Sequence, residues 1–321
     1  MRARRAALML ERTLPLAPRA DKRPATAIWH GVELRDDYAW LKAANWQEVM
    51  RNPAALDPAI RAYLEAENSY AELALAETAD LQEALFAEMK GRIKEDDSTA
   101  PERDGPFAYY VRYREGGQHP IFCRAESGGG SEQVLLDGDE LAAGKPYFHF
   151  GAAMHSPDHK LFAWSFDDAG SEFYAFRIRD LATGEDLSDI VRDVSGSVVW
   201  TQDASAFYYV RLDDNHRPAR VLRHRIGAPA EADELVFEEP DNGNFVSVSA
   251  CQSGAFAEIS SHDHETSQSF MIDLRASSAP PIPVTDRVTG VQYDVEHHPD
   301  LFGTDALIFR TNEGGAEDFK I

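Results

Sequence analysis

Five aromatic-rich runs, each placed just after a turn signal, recur along this chain at intervals near fifty residues. They are Phe107-Ala-Tyr-Tyr-Val, Phe162-Ala-Trp-Ser-Phe, Phe207-Tyr-Tyr-Val, Phe256-Ala-Glu-Ile-Ser and Leu307-Ile-Phe-Arg. Their first residues (107, 162, 207, 256 and 307) lie 55, 45, 49 and 51 apart. A second apolar run follows each after a polar loop, around Phe122, Tyr174, Leu222, Phe270 and Phe319, at offsets of 15, 12, 15, 14 and 12. Those offsets suit a strand, a loop and a partner strand. A period of about 40–50 residues built only from strands points to the blades of a β-propeller. One small sheet cannot bury both of its faces, so neighbouring sheets must stack, and the array becomes the folding unit.

Turn signals separate the runs: Asp104-Gly105-Pro106, Ser127-Gly-Gly-Gly130, Ser156-Pro157-Asp158, Gln202-Asp203, Gln252-Ser253-Gly254 and Gly303-Thr-Asp305. From about residue 100 to 321 there are some 221 positions, and 221/50 is about 4.4. The expected class is therefore all-β: an incomplete propeller of about four and a half blades, cut within its fifth. A different segment precedes it. Asp57-Pro58 supplies an N-cap with proline at the first helical position. Ile60, Tyr63, Leu64, Ala71, Ala74 and Leu75 then share one face. A second helix is expected from Asp80 to Lys90, with Leu81, Leu85 and Met89 on one stripe and a stop at Gly91. The charged run Arg92-Ile-Lys-Glu-Asp-Asp-Ser-Thr99-Ala-Pro101 reads as linker, giving a helical extension at 1–95 and the propeller at 96–321.

Charge and cysteine content bound the function classes. A formal net charge of −23 argues against nucleic acid, which needs clustered cations. It favours attraction of basic ligands. No apolar stretch approaches the roughly 18 residues needed to span a bilayer. The opening Met1-Arg-Ala-Arg-Arg has too short an apolar run for a secretory leader, so a cytoplasmic location is expected. Cys123 and Cys251 fall in non-adjacent units and read as free thiols.

Chemistry-bearing patterns are sparse. No serine sits within Gly-x-Ser-x-Gly, the strained turn that holds a hydrolase nucleophile; Ser131 follows Gly129 and Gly130 but precedes Glu132-Gln133. No catalytic residue is therefore assigned. His262-Asp-His264-Glu265 looks ligand-like, since alternate strand residues share a face, but the sequence assures no third ligand. No metal and no cofactor are expected. The blade aromatics Tyr109, Phe162, Trp164, Tyr208 and Phe256 are placed as core between sheets.

Four stretches carry a resemblance. They are Trp29-His-Gly with Asp36-Asp-Tyr-Ala-Trp-Leu41; Tyr63-Leu-Glu-Ala-Glu-Asn68; Glu88-Met-Lys-Gly-Arg-Ile-Lys-Glu-Asp-Asp97 through Tyr109-Tyr-Val-Arg-Tyr113 to Pro120-Ile-Phe-Cys-Arg124; and Ser156-Pro-Asp-His159 with Gly170-Ser-Glu172 and Arg217-Pro-Ala-Arg220. From about residue 22 onward the chain resembles the N-terminal part of the oligopeptidase B group of the prolyl oligopeptidase family of serine peptidases. The resemblance implies a seven-bladed propeller joined in cis to a C-terminal α/β-hydrolase domain, on which the helical segment packs. It implies cleavage of short basic peptides after Lys or Arg, and a fragment inactive without its catalytic domain. The linker residues Arg92, Lys94, Glu95, Asp96 and Asp97 are then candidates for an interdomain hinge. The rival expectation is a stand-alone propeller that binds a ligand without catalysis.

Overall fold

The computed structural model describes residues 14–276 and 278–321. The short apolar opening at residues 1–12 lies outside them. The chain divides into two compact units after Lys94.

In the first unit, β1 (Ala25–Trp29) and β2 (Val32–Asp36) form an antiparallel hairpin. His30 and Gly31 turn it at φ +51° and +79°, the left-handed pair that matches strand twist. From the sequence no strands are assigned here, because the His-Gly turn hides between apolar runs. A short helix α1 (Trp46–Arg51) precedes α2 (Pro58–Leu75). Asp57 caps α2, accepting the N–H groups of Ala59 at 2.7 Å and Ile60 at 3.3 Å. Helix α3 (Ala79–Lys90) stops at Gly91, whose N–H closes on the Ala87 carbonyl. Of the apolar stripes only Ile60 is buried, while Leu64, Leu81, Leu85 and Met89 are exposed.

The second unit is a succession of antiparallel sheets in chain order. The first contains β3 (Glu102–Asp104), β4 (Phe107–Arg112), β5 (Ile121–Glu126) and β6 (Gln133–Asp137), followed by the short helix α4 (Gly138–Ala142). Next come β7 (His149–His155), β8 (Leu161–Asp167), β9 (Tyr174–Asp180), β10 (Asp186–Trp200), β11 (Ala206–Leu212), β12 (Pro218–Arg225) and β13 (Glu234–Glu238), hydrogen-bonded as one ladder. Strand β10 makes that ladder two blades. Its early residues pair with β9 and its later ones, Val198–Trp200, with β11, with register shifts between. It closes the second sheet and opens the third. The fourth sheet is β14 (Phe245–Ala250), β15 (Phe256–His262), β16 (Ser267–Asp273) and β17 (Ile282–Pro283). Strands β18 (Tyr293–Leu301) and β19 (Thr304–Thr311) form a final pair. The partner strand expected around Phe319 is absent among the described residues. Gly314 and Gly315, at φ +71° and +81°, turn the chain back to a single bridge between Thr311 and Lys320.

One turn recurs between the first and second strands of sheets two to four. In Ser156–Leu161, Thr201–Ala206 and Cys251–Phe256, the first N–H donates to the last carbonyl at 2.9 Å. The fourth residue (His159, Ala204 or Gly254) stands at φ +61°, +56° and +66°. Asp158 and Asp203 lock two of these turns by accepting the Ser156 and Thr201 hydroxyls at 2.7 Å. This loop is the physical content of the turn signals in the sequence.

Each pair of neighbouring sheets encloses one apolar cluster. Leu135, Leu136, Phe162 and Trp164 lie between the first and second, and Phe176, Val191, Phe207 and Tyr209 between the second and third. Tyr208, Val221, Val246, Ile259 and Ile272 fill the next interface, and Met271, Tyr293 and Val295 the last. Because side chains alternate across a strand, Phe207 and Tyr209 enter one interface while Tyr208 enters the next. That explains a strand with no polar face. First strands of successive sheets adjoin (β7 beside β10, β10 beside β14), which puts them together at the inner edge of the fan.

Candidate functional site

The ends of the first strands converge on a cavity of about 500 Å³. Asp104 at the end of β3, Met154 and His155 on β7, Val199 and Trp200 on β10, and Ala250 on β14 contribute to its wall. It therefore draws on four successive sheets. The Trp200 indole N–H donates to the Met154 carbonyl at 3.2 Å and fixes two of these strands against each other.

At the rim lies a polar cluster. Asp104, His155 and His159 each place one potential ligand atom within 4.8 Å of the others, the group of this kind among the described residues. His155 Nε2 is 3.4 Å from Asp104 Oδ2. The Tyr109 ring stacks on His155 at 3.8 Å between centroids, and its hydroxyl is 2.9 Å from His159 Nδ1. Burial pulls the His155 imidazole below its ordinary pKa, against the Ser156 carbonyl and the Asp104 charge, and pushes the Tyr109 phenol up. Arg124, itself buried, stacks on Phe107 and donates to the His159 carbonyl at 2.7 Å, holding the turn.

A second cavity, about 380 Å³, opens between the fourth sheet and the last strand pair. Glu258, His262, Asp263, Asp294 and Arg310 line it. Burial raises the pKa of Glu258, with Asp294 and Glu296 adding repulsion and the Ser269 hydroxyl opposing. Arg310 Nε donates to Asp294 at 2.8 Å. His262 reaches this wall, whereas His264 sits in the following turn and offers its backbone carbonyl to Gln292. Among the described residues the pair does not converge with a third potential ligand. A serine, a histidine and an aspartate do line up elsewhere: Ser253 Oγ is 2.8 Å from His297 Nδ1, and His297 Nε2 is 2.6 Å from Asp305. Ser253 belongs to the recurring turn and also accepts the Ala255 N–H at 3.2 Å, so this series latches the fourth sheet to the last pair. His224 is fully buried between Asp233 at 2.7 Å and Asp189 at 3.0 Å.

The expected hinge residues straddle the division between the two units. Arg92 pairs with Glu88 one turn earlier on α3. Lys94 is the last residue of the first unit. Glu95 accepts the Gly116 N–H at 2.9 Å, and the Asp97 carbonyl accepts the Tyr113 N–H at 2.9 Å, which ties both to the first sheet; Asp96 lies between them. Sequence reasoning missed the rim cluster, since its residues come from β3, the end of β7 and the recurring turn. The one cue was a turn sequence, Ser156-Pro-Asp-His159, that already carried the family resemblance.

Comparison with known proteins comes out in one direction. Residues 18–321 match the model for the N-terminal β-propeller domain of prolyl oligopeptidase. Protease 2 of Moraxella lacunata is 34% identical over 309 residues, covering 94% of this chain and 42% of the relative. Dipeptidyl aminopeptidase BI of Pseudoxanthomonas mexicana is 33% identical over 309 residues, covering 91% of this chain and 41% of the relative. Oligopeptidase B from Leishmania major superimposes with a TM-score of 0.84 at 28% identity, over 95% of this chain and 44% of that one. The chain thus spans less than half the length of the relatives it matches.

Proposed function

The chain belongs to the prolyl oligopeptidase family of serine peptidases, and from that premise we propose that it is the gating part of an oligopeptidase B-like enzyme. In this reading the stacked sheets cover an α/β-hydrolase domain carried further along the same polypeptide. They admit short, unfolded peptides and exclude folded proteins by size. Peptides are cut after Lys or Arg, and the net charge of −23 draws such cations toward the entrance. The unit that ends at Lys94 docks on the hydrolase domain, with the exposed Leu81, Phe86 and Met89 of α3 as its apolar contribution. Arg92, Lys94, Glu95, Asp96 and Asp97 serve as the hinge when the parts separate. The present chain has no peptidase activity of its own, for want of a Gly-x-Ser-x-Gly nucleophile.

The observation that supports this reading best is the cavity built from the first-strand ends of four successive sheets. A propeller gate needs such an inner opening. The test uses two fluorogenic reporters, a blocked Arg-Arg peptide and a dipeptide with a free amine. The chain alone should cleave neither. A longer form carrying the downstream coding sequence should cleave the blocked Arg-Arg reporter. Turnover by the chain alone that a serine-directed reagent stops, or a long form confined to the free-amine reporter, overturns the proposal.

A further inference from the structure

The rim cluster poses an electrostatic problem. The Ser156 carbonyl, 3.1 Å from His155 Nδ1, cannot donate a hydrogen, so Nδ1 carries the proton. In the neutral ring Nε2 is then a bare lone pair, and it faces the Asp104 carboxylate at 3.4 Å. Two acceptors at that distance repel unless a proton on Nε2 or a metal ion lies between them.

We propose that Asp104, His155 and His159 bind a divalent transition-metal ion of the zinc type, which clamps the first sheet to the second at the mouth of the inner cavity. Four observations converge on it. The three candidate ligand atoms lie within 4.8 Å of one another, Asp104 from the end of β3 and the two histidines from the end of β7 and the turn that follows it. In a tetrahedral zinc site with bonds of about 2.0–2.2 Å, neighbouring ligand atoms stand roughly 3.3 Å apart, which the His155–Asp104 edge already matches. The Nδ1–H to backbone-carbonyl bond of His155 is the outer-shell arrangement that orients a metal-bound imidazole. Finally, the backbone makes room: Gly105 stands at φ +56°, and a Cβ there would come within 2.7 Å of His159 Nε2. Only glycine lets that ring sit against the turn beside Asp104.

Tyr109 keeps the site ordered, stacked on His155 and hydrogen-bonded to His159. Asp104 and His155 also line the 500 Å³ cavity, so the ion exchanges with solvent. Two imidazoles and one carboxylate suit zinc and cobalt over calcium or magnesium, which prefer oxygen ligands. The remaining coordination position falls to water or a ligand in the cavity.

The test titrates chelator-treated full chain with zinc chloride alone by calorimetry, and with cobalt chloride by visible absorption. The expected result is one zinc per chain, tetrahedral cobalt bands, and a melting temperature that rises with zinc. Asp104→Asn and His159→Gln should each weaken zinc binding by about tenfold or more, while His262→Gln and His264→Gln leave it unchanged. Asp104 is exposed, so Asp104→Asn should melt like the parent in the absence of zinc. Absence of stoichiometric binding would mean the cluster is an imidazolium–carboxylate pair only. Binding that survives Asp104→Asn and His155→Gln together would place the ion elsewhere. Either result overturns the proposal.

Discussion

Replacing Phe207 by leucine tests the alternation on which the stacked sheets depend. Phe207 is fully buried, with ring centroids 5.4 Å from Phe176, 5.6 Å from Trp200 and 5.1 Å from His224. Leucine keeps much of the apolar volume but loses the ring geometry, worth about 0.5–1.5 kcal/mol for each aromatic pair. The single substitution should therefore cost roughly 1–3 kcal/mol. The partner across the interface is Phe176 on β9, in the second sheet. In a double-mutant cycle, Phe176→Leu and Phe207→Leu should couple by about 1 kcal/mol. Ile259 packs with Tyr208, the next residue along β11, but in the following interface. Ile259→Val and Phe207→Leu should therefore add to within about 0.3–0.5 kcal/mol. Urea unfolding followed by far-ultraviolet circular dichroism and tryptophan fluorescence measures all three terms. Coupling to Ile259 as large as coupling to Phe176 would refute the assignment of neighbouring residues to opposite interfaces.

Two further outcomes follow from buried ionisable groups. Burial works against a charged His224, but the hydrogen bonds and charges of Asp233 and Asp189 outweigh it and raise its pKa. A raised folded-state value stabilises the protein fully below the unfolded pKa, near 6.5, and that stability is lost as pH rises through the folded value. The melting-temperature gap between the parent and His224→Gln should then shrink from pH 6 to pH 9; a gap that widens contradicts the network. Burial also pushes both thiols, Cys123 and Cys251, up to about 11. At pH 8 native protein should react with a disulfide-exchange reagent far more slowly than urea-unfolded protein, and equal rates would contradict their burial.

The second strands were legible because an aromatic run behind a fixed turn is a strong local signal. Phe162, Phe207 and Phe256 each open or nearly open such a strand, and the turn before each has one geometry. Helix α2 was legible from Asp57-Pro58 for the same reason, a cap that acts within three residues. First strands were harder. His149–His155 is rich in glycine and alanine, since it lies where strands crowd together, and carries little periodic signal. Strand β10 serves two sheets, which no hydrophobic period encodes. Phe319 misled because an apolar residue at the right offset resembles a strand, while the preceding Gly314-Gly315 decides the path. The rim cluster was invisible for a different reason: Asp104 and His155 are a full repeat apart and meet only when sheets stack. His262 and His264, close in sequence, were the visible pair, yet one faces a cavity and the other a turn.

The central claim is that the sheets fold as one stacked array, each dependent on its neighbour's face. Residue-resolved hydrogen exchange under native conditions tests this most directly. Strands β8, β11 and β15 are paired on both edges, and none of them has an exposed residue. Their slowest amides should open with a common free energy, equal to that of global unfolding. Slow exchange confined to one of these strands, with the others opening about 3 kcal/mol or more sooner, would mean that the sheets stand independently and would contradict the account.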